Sequence, residues 1–318
     1  MSKEVLIVRP RGFCAGVVRA VDIVELCLKQ YGAPVYMCHQ IVHNANVVAD
    51  REAKGAIFVE TVDEIPEGSI VIFSAHGSPP EQYRAAEARK LKVIDATCPL
   101  VYKVHNEARK YGREGHPVII IGHRDHVEME GSLGQAAAAT DNVYALDPEQ
   151  GGDPFGGADN PFRGEQPPVV LTQTTLSQDD VQPAVELVQA AFPDAIIRND
   201  ICFATTNRQT AVKKLAEEVD MIIIVGSDTS SNSRRLAETA RRAGCQAVLV
   251  PSGENIPWFL LLNAQKVGVS SGASTPEHLV EDVVRTLEEG GFVRREVEVI
   301  VEDVSFKMPG ELVGAGTP

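Results

Sequence analysis

Short apolar runs alternate along this chain with longer segments of helical character. Residues 118–121 and 221–225 are continuous runs rich in β-branched side chains, without the in-and-out alternation of a half-exposed strand. Such runs are typical of strands that are buried on both faces of a parallel sheet. Segments 80–91 and 233–243 predict helices, and the second of these ends before Gly244. The alternation predicts an α/β fold with right-handed crossovers.

Three cysteines occupy equivalent places in this alternation. Cys14, Cys98 and Cys202 each follow a predicted strand and precede a predicted helix. The next strand after each cysteine ends in polar residues, which are His43, then His126, then Ser230, Ser231 and Asn232. A third strand ends in related loops, which contain His76, then Thr174 and Thr175, then Ser274. Each segment therefore carries three polar or thiol anchors, one after each of three strands.

The separations between these anchors agree. The second anchor follows the cysteine by 29 residues at His43, 28 at His126 and 30 at Asn232. The third anchor follows it by 62 residues at His76, by 76 at Thr174 and by 72 at Ser274. We interpret this agreement as a divergent internal repeat of one α/β unit.

The repeat predicts the domain organisation. The expected segments are a first α/β unit at 1–92, a second at 93–195, a third at 196–284 and a C-terminal tail at 285–318. The second unit is lengthened by 151–168, which is rich in Gly and Pro and predicts a surface loop. Within the tail, 297–301 predicts a strand that covers one face of a unit.

Ligands of parallel sheets collect beyond the carboxyl ends of the strands. Three such units around a pseudo-threefold axis would aim all nine anchors at one centre. We therefore expect a trefoil of three small α/β units with parallel sheets. A cysteine at a helix start is favoured as the thiolate, because the helix N-terminus stabilises negative charge.

Composition and charge narrow the functional classes. The chain is 44% hydrophobic and 23% charged, which is ordinary for a globular protein. No apolar run approaches the length of a membrane span, and the run at 5–8 is too short for a signal peptide, so we expect a cytoplasmic protein without a membrane partner. In a reducing cytoplasm, six cysteines favour metal binding or catalysis over disulfides. The net charge of −14 disfavours nucleic acid as a partner.

The number of equivalent cysteines indicates the kind of metal site. A structural zinc site is normally closed by four ligands, and a four-iron cluster commonly takes four cysteines. Three thiolates would leave one iron open to a substrate oxygen. The alternative for any cysteine is a small buried apolar side chain. We give that interpretation to Cys27, Cys38 and Cys245, which do not fit the repeat.

The remaining anchors are hydrogen-bond donors. Hydroxyl, amide and imidazole groups together can hold a phosphate or a diphosphate, and helix N-termini would add to them. For the Ser, Thr and Asn anchors the alternative is helix capping, and for the histidines it is an ordinary loop or core position. Glu128, two residues after His126, is placed to protonate a leaving hydroxyl. A solvated surface acid is its alternative, and Glu130 is a rival for the role.

The same residues carry a resemblance to a known family. The motifs are Arg11-Gly12-Phe13-Cys14-Ala15-Gly16-Val17, Val42-His43-Asn44, Ser74-Ala75-His76-Gly77, Asp95-Ala96-Thr97-Cys98-Pro99, Thr172-Gln173-Thr174-Thr175-Leu176, Asn199-Asp200-Ile201-Cys202, Ala204-Thr205-Thr206-Asn207-Arg208-Gln209 and Ser230-Ser231-Asn232-Ser233. They resemble the LytB-type iron–sulfur reductases, which act on 4-hydroxy-3-methylbut-2-enyl diphosphate in the non-mevalonate isoprenoid pathway. The resemblance runs from about residue 5 to about residue 280.

This resemblance implies a specific chemistry. The family has a trefoil of α/β units around a 4Fe-4S cluster and removes the allylic hydroxyl of its substrate with two electrons and two protons. The products are isopentenyl diphosphate, dimethylallyl diphosphate and water, and the electron donor is a ferredoxin or a flavodoxin. By motif, Cys14, Cys98 and Cys202 would hold the cluster. His43, His76, Ser230, Ser231, Asn232 and Ser274 would bind the diphosphate, with Thr175 beside them, while His126, Thr174 and Glu128 would act near the hydroxyl, with Glu128 as the proton donor.

One motif departs from the family. Members usually read His-Pro-Glu where this chain has His126, Val127 and Glu128, which loosens the turn that places the glutamate. His123 lies nearby, but the glutamate two residues on favours His126 as the site histidine. Two other functional classes stay open at this point. One is a hydratase that uses an open iron only as a Lewis acid, and the other is a non-catalytic redox carrier or sensor.

Overall fold

The computed structural model describes residues 3–149, 155 and 166–313. Most of the loop predicted at 151–168 lies outside these residues, as does the end of the tail after 313. The strands are β1 (Lys3–Arg9), β2 (Val35–Cys38), β3 (Ala56–Val59), β4 (Ile70–Phe73), β5 (Lys92–Asp95), β6 (Val118–Ile121), β7 (Val143–Leu146), β8 (Val169–Thr172), β9 (Ile196–Ile197), β10 (Met221–Val225), β11 (Gln246–Val250), β12 (Lys266–Ser271) and β13 (Phe292–Glu298). The helices are α1 (Ala15–Tyr31), α2 (Ala45–Ala53), α3 (Pro80–Ala88), α4 (Pro99–Arg113), α5 (Val127–Ala137), α6 (Gln178–Ala191), α7 (Phe203–Ala216), α8 (Ser231–Arg242), α9 (Glu277–Glu289) and α10 (Gly310–Val313).

These strands form three parallel sheets. Sheet A has the order β11-β10-β12-β1-β13, sheet B the order β3-β2-β4-β5, and sheet C the order β7-β6-β8-β9. All of their strand pairings are parallel. The predicted α/β fold with small parallel sheets is confirmed, and three is the number of sheets that a trefoil requires.

The three sheets share one internal topology, which supports the repeat. In each, the strand that leads to a second anchor (β2, β6 or β10) lies between its successor and the strand that leads to a third anchor (β4, β8 or β12). The latter pairs in turn with the strand before a cysteine (β5, β9 or β1). All three kinds of anchor thus follow the carboxyl ends of neighbouring strands, as the repeat predicts.

The strand before each cysteine pairs with a strand of another predicted unit. β5 begins the predicted second unit, yet it pairs with β4 of the predicted first unit. In the same way, β9 pairs with β8, and β1 pairs with β12. Right-handed crossovers through α3 and α6 lay the next parallel strand beside the previous one, so the sheets do not begin and end at the boundaries 1–92, 93–195 and 196–284. Those boundaries stay a prediction about the sequence repeat.

The chain divides into two compact units. The described residues of Met1–Val18, Val42–Ala49 and Cys202–Ser305 form unit 1, which contains sheet A. Those of Arg19–Ile41, Asp50–Ile201 and Phe306–Pro318 form unit 2, which contains sheets B and C. Each sheet is buried by helices. In unit 1, α7 and α8 pack on one face of sheet A and α9 packs on the other.

The strand predicted at 297–301 is wrong in its position. The observed strand, β13, ends at Glu298 and runs parallel to β1 along the edge of sheet A, while Val297 and Val299 pack against the apolar cluster on one face of that sheet. Its outward side chains include Arg294, Arg295 and Glu296, and charged residues are typical of a protected sheet edge. The apolar run 297–301 misled because only its beginning is strand; after Val299, whose N–H donates to Arg9 O, the chain leaves the sheet.

No helix in the described part of the chain is long and apolar enough to cross a membrane.

Candidate functional site

In unit 1, the loop before Cys14 is fixed by backbone contacts. Gly12 has a φ of 69°, and its N–H donates to Ser271 Oγ at 2.7 Å. Cys14 N–H donates to Ala273 O at 3.1 Å, and Cys14 O accepts from Val18 N–H in the first turn of α1. Cys14 therefore stands at the carboxyl end of β1 and at the start of α1.

Cys202 also stands at a helix start, and its sulfur is hydrogen-bonded. It is the N-cap of α7, and its Sγ lies 3.4 Å from Thr205 N and 3.1 Å from Thr205 Oγ1. Thr205 Oγ1 in turn accepts from Asn232 Nδ2 at 3.3 Å. Asn232 Oδ1 accepts from Ala273 N–H at 2.9 Å. A continuous polar path thus joins Cys202 to the same peptide segment that positions Cys14.

The turn that opens α8 holds the predicted phosphate ligands of unit 1. Ser230 caps α8 by accepting from Ser233 N–H at 3.3 Å, and Ser231 and Asn232 lie buried in the first helical turn. Ser274 Oγ lies 3.5 Å from Ser230 Oγ and donates to His43 O at 3.3 Å. The capping alternative is therefore realised for Ser230, and it is compatible with anion binding because a cap and a helix-terminal anion use the same end of the helix.

In unit 2, Glu128 is enclosed by the elements that follow β6 and β8. Its side chain is buried, with the residue 2% exposed, and Oε1 accepts from Thr174 N–H at 2.7 Å. His126 caps α5, and its Nδ1 accepts from Glu128 N–H at 3.1 Å. Burial raises the pKa of Glu128 to about 7, in opposition to the hydrogen bonds from Thr174, which lower it. The solvated alternative is excluded for Glu128, whereas its rival Glu130 is exposed.

His76 joins this group in unit 2. The imidazole rings of His76 and His126 meet edge to face with centroids 5.9 Å apart, and His76 Nδ1 lies 3.2 Å from Ser74 Oγ. Close packing sets this approach, since a Cβ built on Gly131 of α5 would lie 3.0 Å from Gly77 O. Gly77 itself has a φ of 83°, which favours glycine.

The remaining anchors of unit 2 lie where the repeat places them. Cys98 is the N-cap of α4, and its N–H donates to Ala75 O at 3.0 Å, just as Cys14 donates to Ala273. Thr175 Oγ1 accepts from Gln173 Nε2 at 2.9 Å. His123 Nδ1 lies 3.4 Å from a carboxylate oxygen of Asp147.

The six cysteines fall into two classes. Cys14, Cys98 and Cys202 are partly exposed, whereas Cys27, Cys38 and Cys245 are buried. Burial raises the pKa of Cys27 to about 11 and that of Cys38 to about 12, so both thiols stay protonated. Burial also raises the pKa of Cys245. These three thiols thus have the character of small buried apolar side chains that the sequence predicts.

Within the part of the chain that the structure describes, no group of three or more His, Cys, Asp or Glu side chains is arranged to hold a metal ion. The convergence of the three equivalent cysteines on one centre therefore stays a prediction. So do the individual roles assigned to the hydrogen-bond donors and to Glu128.

Sequence reasoning assigned no role to two residues of the 204–209 motif that organise unit 1. One is Thr205, and the other is Arg208, which is 1% exposed. Arg208 donates to Gly12 O, to Ala204 O and to Glu302 at 3.0, 2.9 and 3.1 Å. A single buried guanidinium thus ties the Cys14 loop and the start of α7 to the tail. Both residues follow Cys202 at one-turn intervals, and that spacing was the available signal.

Glu302→Ala should lower the free energy of unfolding by about 3 kcal/mol, because it leaves the buried Arg208 charge unpaired. Chemical denaturation of the metal-free protein would measure this change. Arg285→Ala is the matched control, since it breaks the exposed pair with Asp282 and should cost less than about 1 kcal/mol. Equal losses in the two variants would contradict the role of the buried pair.

Val127→Pro should be tolerated and should stabilise the metal-free protein by about 0.4–1 kcal/mol. Val127 is the first residue of α5, a position at which proline is favoured, and His126 has the extended φ and ψ of −87° and 134° that a following proline prefers. Urea unfolding would measure the gain, with Val127→Ala as the control. A loss of stability would show that the departure from the His-Pro-Glu motif reflects a different local backbone.

Comparison with known proteins agrees with this geometry. The model of the LytB protein family matches residues 5–288. A 4-hydroxy-3-methylbut-2-enyl diphosphate reductase of Nitrosomonas europaea is 45% identical over 315 residues, covering 96% of this chain and 96% of that protein. The enzyme of the same name from Aromatoleum aromaticum is 47% identical, with 98% of each chain covered.

Solved structures are similar over most of the chain. The E-1-hydroxy-2-methyl-but-2-enyl-4-diphosphate reductase of Plasmodium falciparum superposes with a TM-score of 0.92 at 36% identity, covering 98% of both chains. A second structure, described as (E)-4-hydroxy-3-methyl-but-2-enyl diphosphate reductase, the terminal enzyme of the non-mevalonate pathway, gives a TM-score of 0.66 at 33% identity. It covers 90% of this chain and 99% of that one. On this full-length agreement, the chain belongs to the LytB family.

Proposed function

We propose that this protein removes the allylic hydroxyl of (E)-4-hydroxy-3-methylbut-2-enyl diphosphate reductively. Two electrons and two protons enter, the C–O bond breaks, and the products are isopentenyl or dimethylallyl diphosphate and water. The family of the chain and the names of its relatives support the reaction. Within the molecule, the observation that carries it is the buried Glu128, which is held by Thr174 and His126 with a pKa raised to about 7 by burial.

The cysteines fit a 4Fe-4S cluster as the resident cofactor. Cys14, Cys98 and Cys202 differ from the other three cysteines in being partly exposed. Each also follows a parallel strand and stands at the start of a helix. When bound, such a cluster supplies electrons one at a time and leaves one iron without a cysteine ligand, since the equivalent cysteines number three.

The diphosphate is held by neutral donors. Ser230, Ser231 and Asn232 stand at the N-terminus of α8, and Ser274 reaches Ser230 from the loop after β12. The positive end of the helix dipole and the first backbone N–H groups favour an anion there. His43 and His76 add imidazole N–H donors. Local donors of this kind are needed because the chain as a whole carries a net charge of −14.

Glu128 delivers a proton to the departing hydroxyl oxygen. A carboxyl group with a pKa near neutral pH is a strong enough acid to donate its proton and is quickly reprotonated. The N–H of Thr174 donates to Oε1 of Glu128 and orients the carboxyl group. The imidazole of His126 accepts from the backbone N–H of Glu128 and fixes the main chain of this residue. Thr174 and His126 both contact Glu128, and we place the substrate hydroxyl beside these three residues.

A small soluble carrier, ferredoxin or flavodoxin, is the proposed electron donor, and the cytoplasm is the proposed location. Low-potential carriers of this kind supply the single electrons that the reaction consumes. The thiols described above require a reducing compartment to stay free.

The test is to reconstitute the protein with iron and sulfide without air, and then to add substrate with and without a low-potential reductant. We expect about four irons per chain and both diphosphate products only when the reductant is present, as measured by mass spectrometry. Turnover without reductant would identify a hydratase. Iron without turnover would identify a redox carrier, and a colourless protein without iron would refute the cluster.

A further inference from the structure

The sulfur of Cys202 receives two hydrogen bonds from one residue. Thr205 lies at the third position of α7, with its backbone N 3.4 Å and its Oγ1 3.1 Å from Cys202 Sγ. Thr205 is 1% exposed, so its hydroxyl is buried, whereas Cys202 is partly exposed. A buried hydroxyl at this distance interacts strongly with a thiolate, because hydrogen bonds to charged acceptors are about twice as strong as neutral ones.

The side-chain amide of Asn232 determines the direction of the hydrogen bond between Thr205 Oγ1 and Cys202 Sγ. Asn232 Oδ1 accepts from Ala273 N–H at 2.9 Å, which fixes which end of the amide is oxygen. Its Nδ2 therefore faces Thr205 Oγ1, at 3.3 Å, and donates to it. A hydroxyl that accepts at its lone pair has its single hydrogen left for another partner. That partner is Cys202 Sγ, so Thr205 donates to the sulfur.

The other two equivalent cysteines lack this donor. The residue three positions after Cys14 is Val17, and the residue three positions after Cys98 is Val101. Neither side chain can donate a hydrogen bond. At this position of the repeat, the unit of Cys202 has a hydroxyl, and the units of Cys14 and Cys98 have valine.

We propose that Thr205 is a positioning residue for the redox centre, whose hydroxyl, oriented by Asn232, donates to the Cys202 thiolate and raises the reduction potential of the cluster that this thiolate holds. The inference rests on the proposed function, since it presumes the cluster. Hydrogen bonds to the sulfur ligands are one of the factors that set the potential of such clusters. They stabilise the more negative, reduced state more than the oxidised state.

The same path reaches the phosphate-binding turn. Asn232 belongs to the first turn of α8, and Ala273, whose N–H orients it, accepts at its carbonyl oxygen from Cys14 N–H at 3.1 Å. An anion that reorients Asn232 would therefore alter the hydroxyl bond to Cys202.

The experiment measures the reduction potential of the reconstituted, substrate-free protein by a redox titration followed by electron paramagnetic resonance. Thr205→Val keeps the shape and removes the hydroxyl, and it should shift the potential to a more negative value. Thr205→Ser keeps the hydroxyl and should restore the potential of the natural protein. The matched control is Thr206→Val, because Thr206 is exposed and its hydroxyl bonds the backbone of Cys202 instead of its sulfur.

A second variant tests the direction of the bond. Asn232→Asp keeps an oxygen that accepts from Ala273 N–H, but it replaces the N–H donor that faces Thr205 with a second carboxylate oxygen. The threonine hydroxyl should then donate to this carboxylate instead of to Cys202. In this background, Thr205→Val should produce no further shift in potential. A full additional shift would refute the role of Asn232.

The failure of this inference is distinguishable from failure of the proposed function. If the natural protein takes up iron and turns over substrate while Thr205→Val and Thr206→Val have the same potential, the inference about Thr205 is refuted and the proposed function stands. If the natural protein takes up no iron under any of the conditions, both are refuted.

Discussion

Glu128→Gln should lower the rate of hydroxyl removal by about 10²–10⁴-fold while the protein still folds and still binds iron. Glutamine keeps the oxygen that accepts from Thr174 N–H, so the packing around it is preserved. It carries no acidic proton, so the departing hydroxyl would have to leave without a donor. Steady-state product formation under reducing conditions measures the loss, and iron content verifies that the cofactor is unaffected.

The pH dependence of the natural protein follows from the same carboxyl group. Because burial raises the pKa of Glu128 to about 7, the proton-donating form is present below that pH and is lost as the pH rises through it. The rate should therefore fall on the alkaline side of about pH 7, and this limb should be absent from the residual rate of Glu128→Gln. Glu130→Gln is the matched control, since Glu130 is exposed on the same helix and its removal should leave both the rate and the limb in place.

Stability gives an independent check that requires no turnover. A carboxyl group whose pKa is raised on folding costs nothing below its unfolded pKa and destabilises the folded state as the pH rises through the folded value. For Glu128 the cost reaches about 3 kcal/mol above neutral pH. The metal-free Glu128→Gln protein should therefore be more stable than the natural protein at pH 8 and nearly equal to it at pH 4. The opposite sign would show that the carboxylate is stabilised in the folded protein and is unsuited to donate a proton.

Cys14→Ser should reduce turnover by more than the 10–100-fold that loss of an outer metal partner typically costs. A serine hydroxyl does not ionise near neutral pH and is a poor ligand for iron in such clusters. The loop contacts of Gly12 and Cys14 involve backbone atoms, so the substitution should leave the fold intact. The measurements are iron and sulfide per chain and the paramagnetic signal of the reduced protein.

The matched control for this substitution is Cys245→Ala. Cys245 is buried in the core on one face of sheet A and lies outside the repeat, so its removal should leave iron content and turnover unchanged. Full iron binding in Cys14→Ser, with activity retained, would show that this cysteine is not a ligand and would remove the basis for a threefold centre.

The sequence predicted those parts of the molecule that have a local pattern. Continuous apolar runs identified buried strands such as β6 and β10, and the equal spacing of cysteines and polar anchors identified the repeat. The sequence pattern did not predict β13, because its residues are mostly charged and a strand at a sheet edge needs no apolar alternation. The sequence also did not reveal that β5, β9 and β1 each pair with a strand of another predicted unit. This pairing depends on how the crossovers place the strands and not on the composition of any strand.

The same distinction holds for the site. The two-residue spacing of His126 and Glu128 made the glutamate a candidate, but its burial depends on the loop after β8, which lies 46 residues away in the sequence. Thr205 showed no signal by itself, because a threonine in a first helical turn is unremarkable. Its significance appears only when the side chains of Cys202 and Asn232 are seen on either side of it.

The pairing of β1 with β12 and β13 also sets when sheet A can form during synthesis of the chain. Gly12 and Ser271, which hold the Cys14 loop, are separated by 259 residues, and among the described residues β1 pairs with β12 and β13. At ordinary rates of synthesis, Cys14 waits on the ribosome for roughly tens of seconds before its partner strands exist. All three equivalent cysteines are translated well before then, at residues 14, 98 and 202. If the proposed cluster is correct, iron and sulfide delivered to nascent chains that lack β12 should not be incorporated, because the Cys14 loop has no partner strand to hold it.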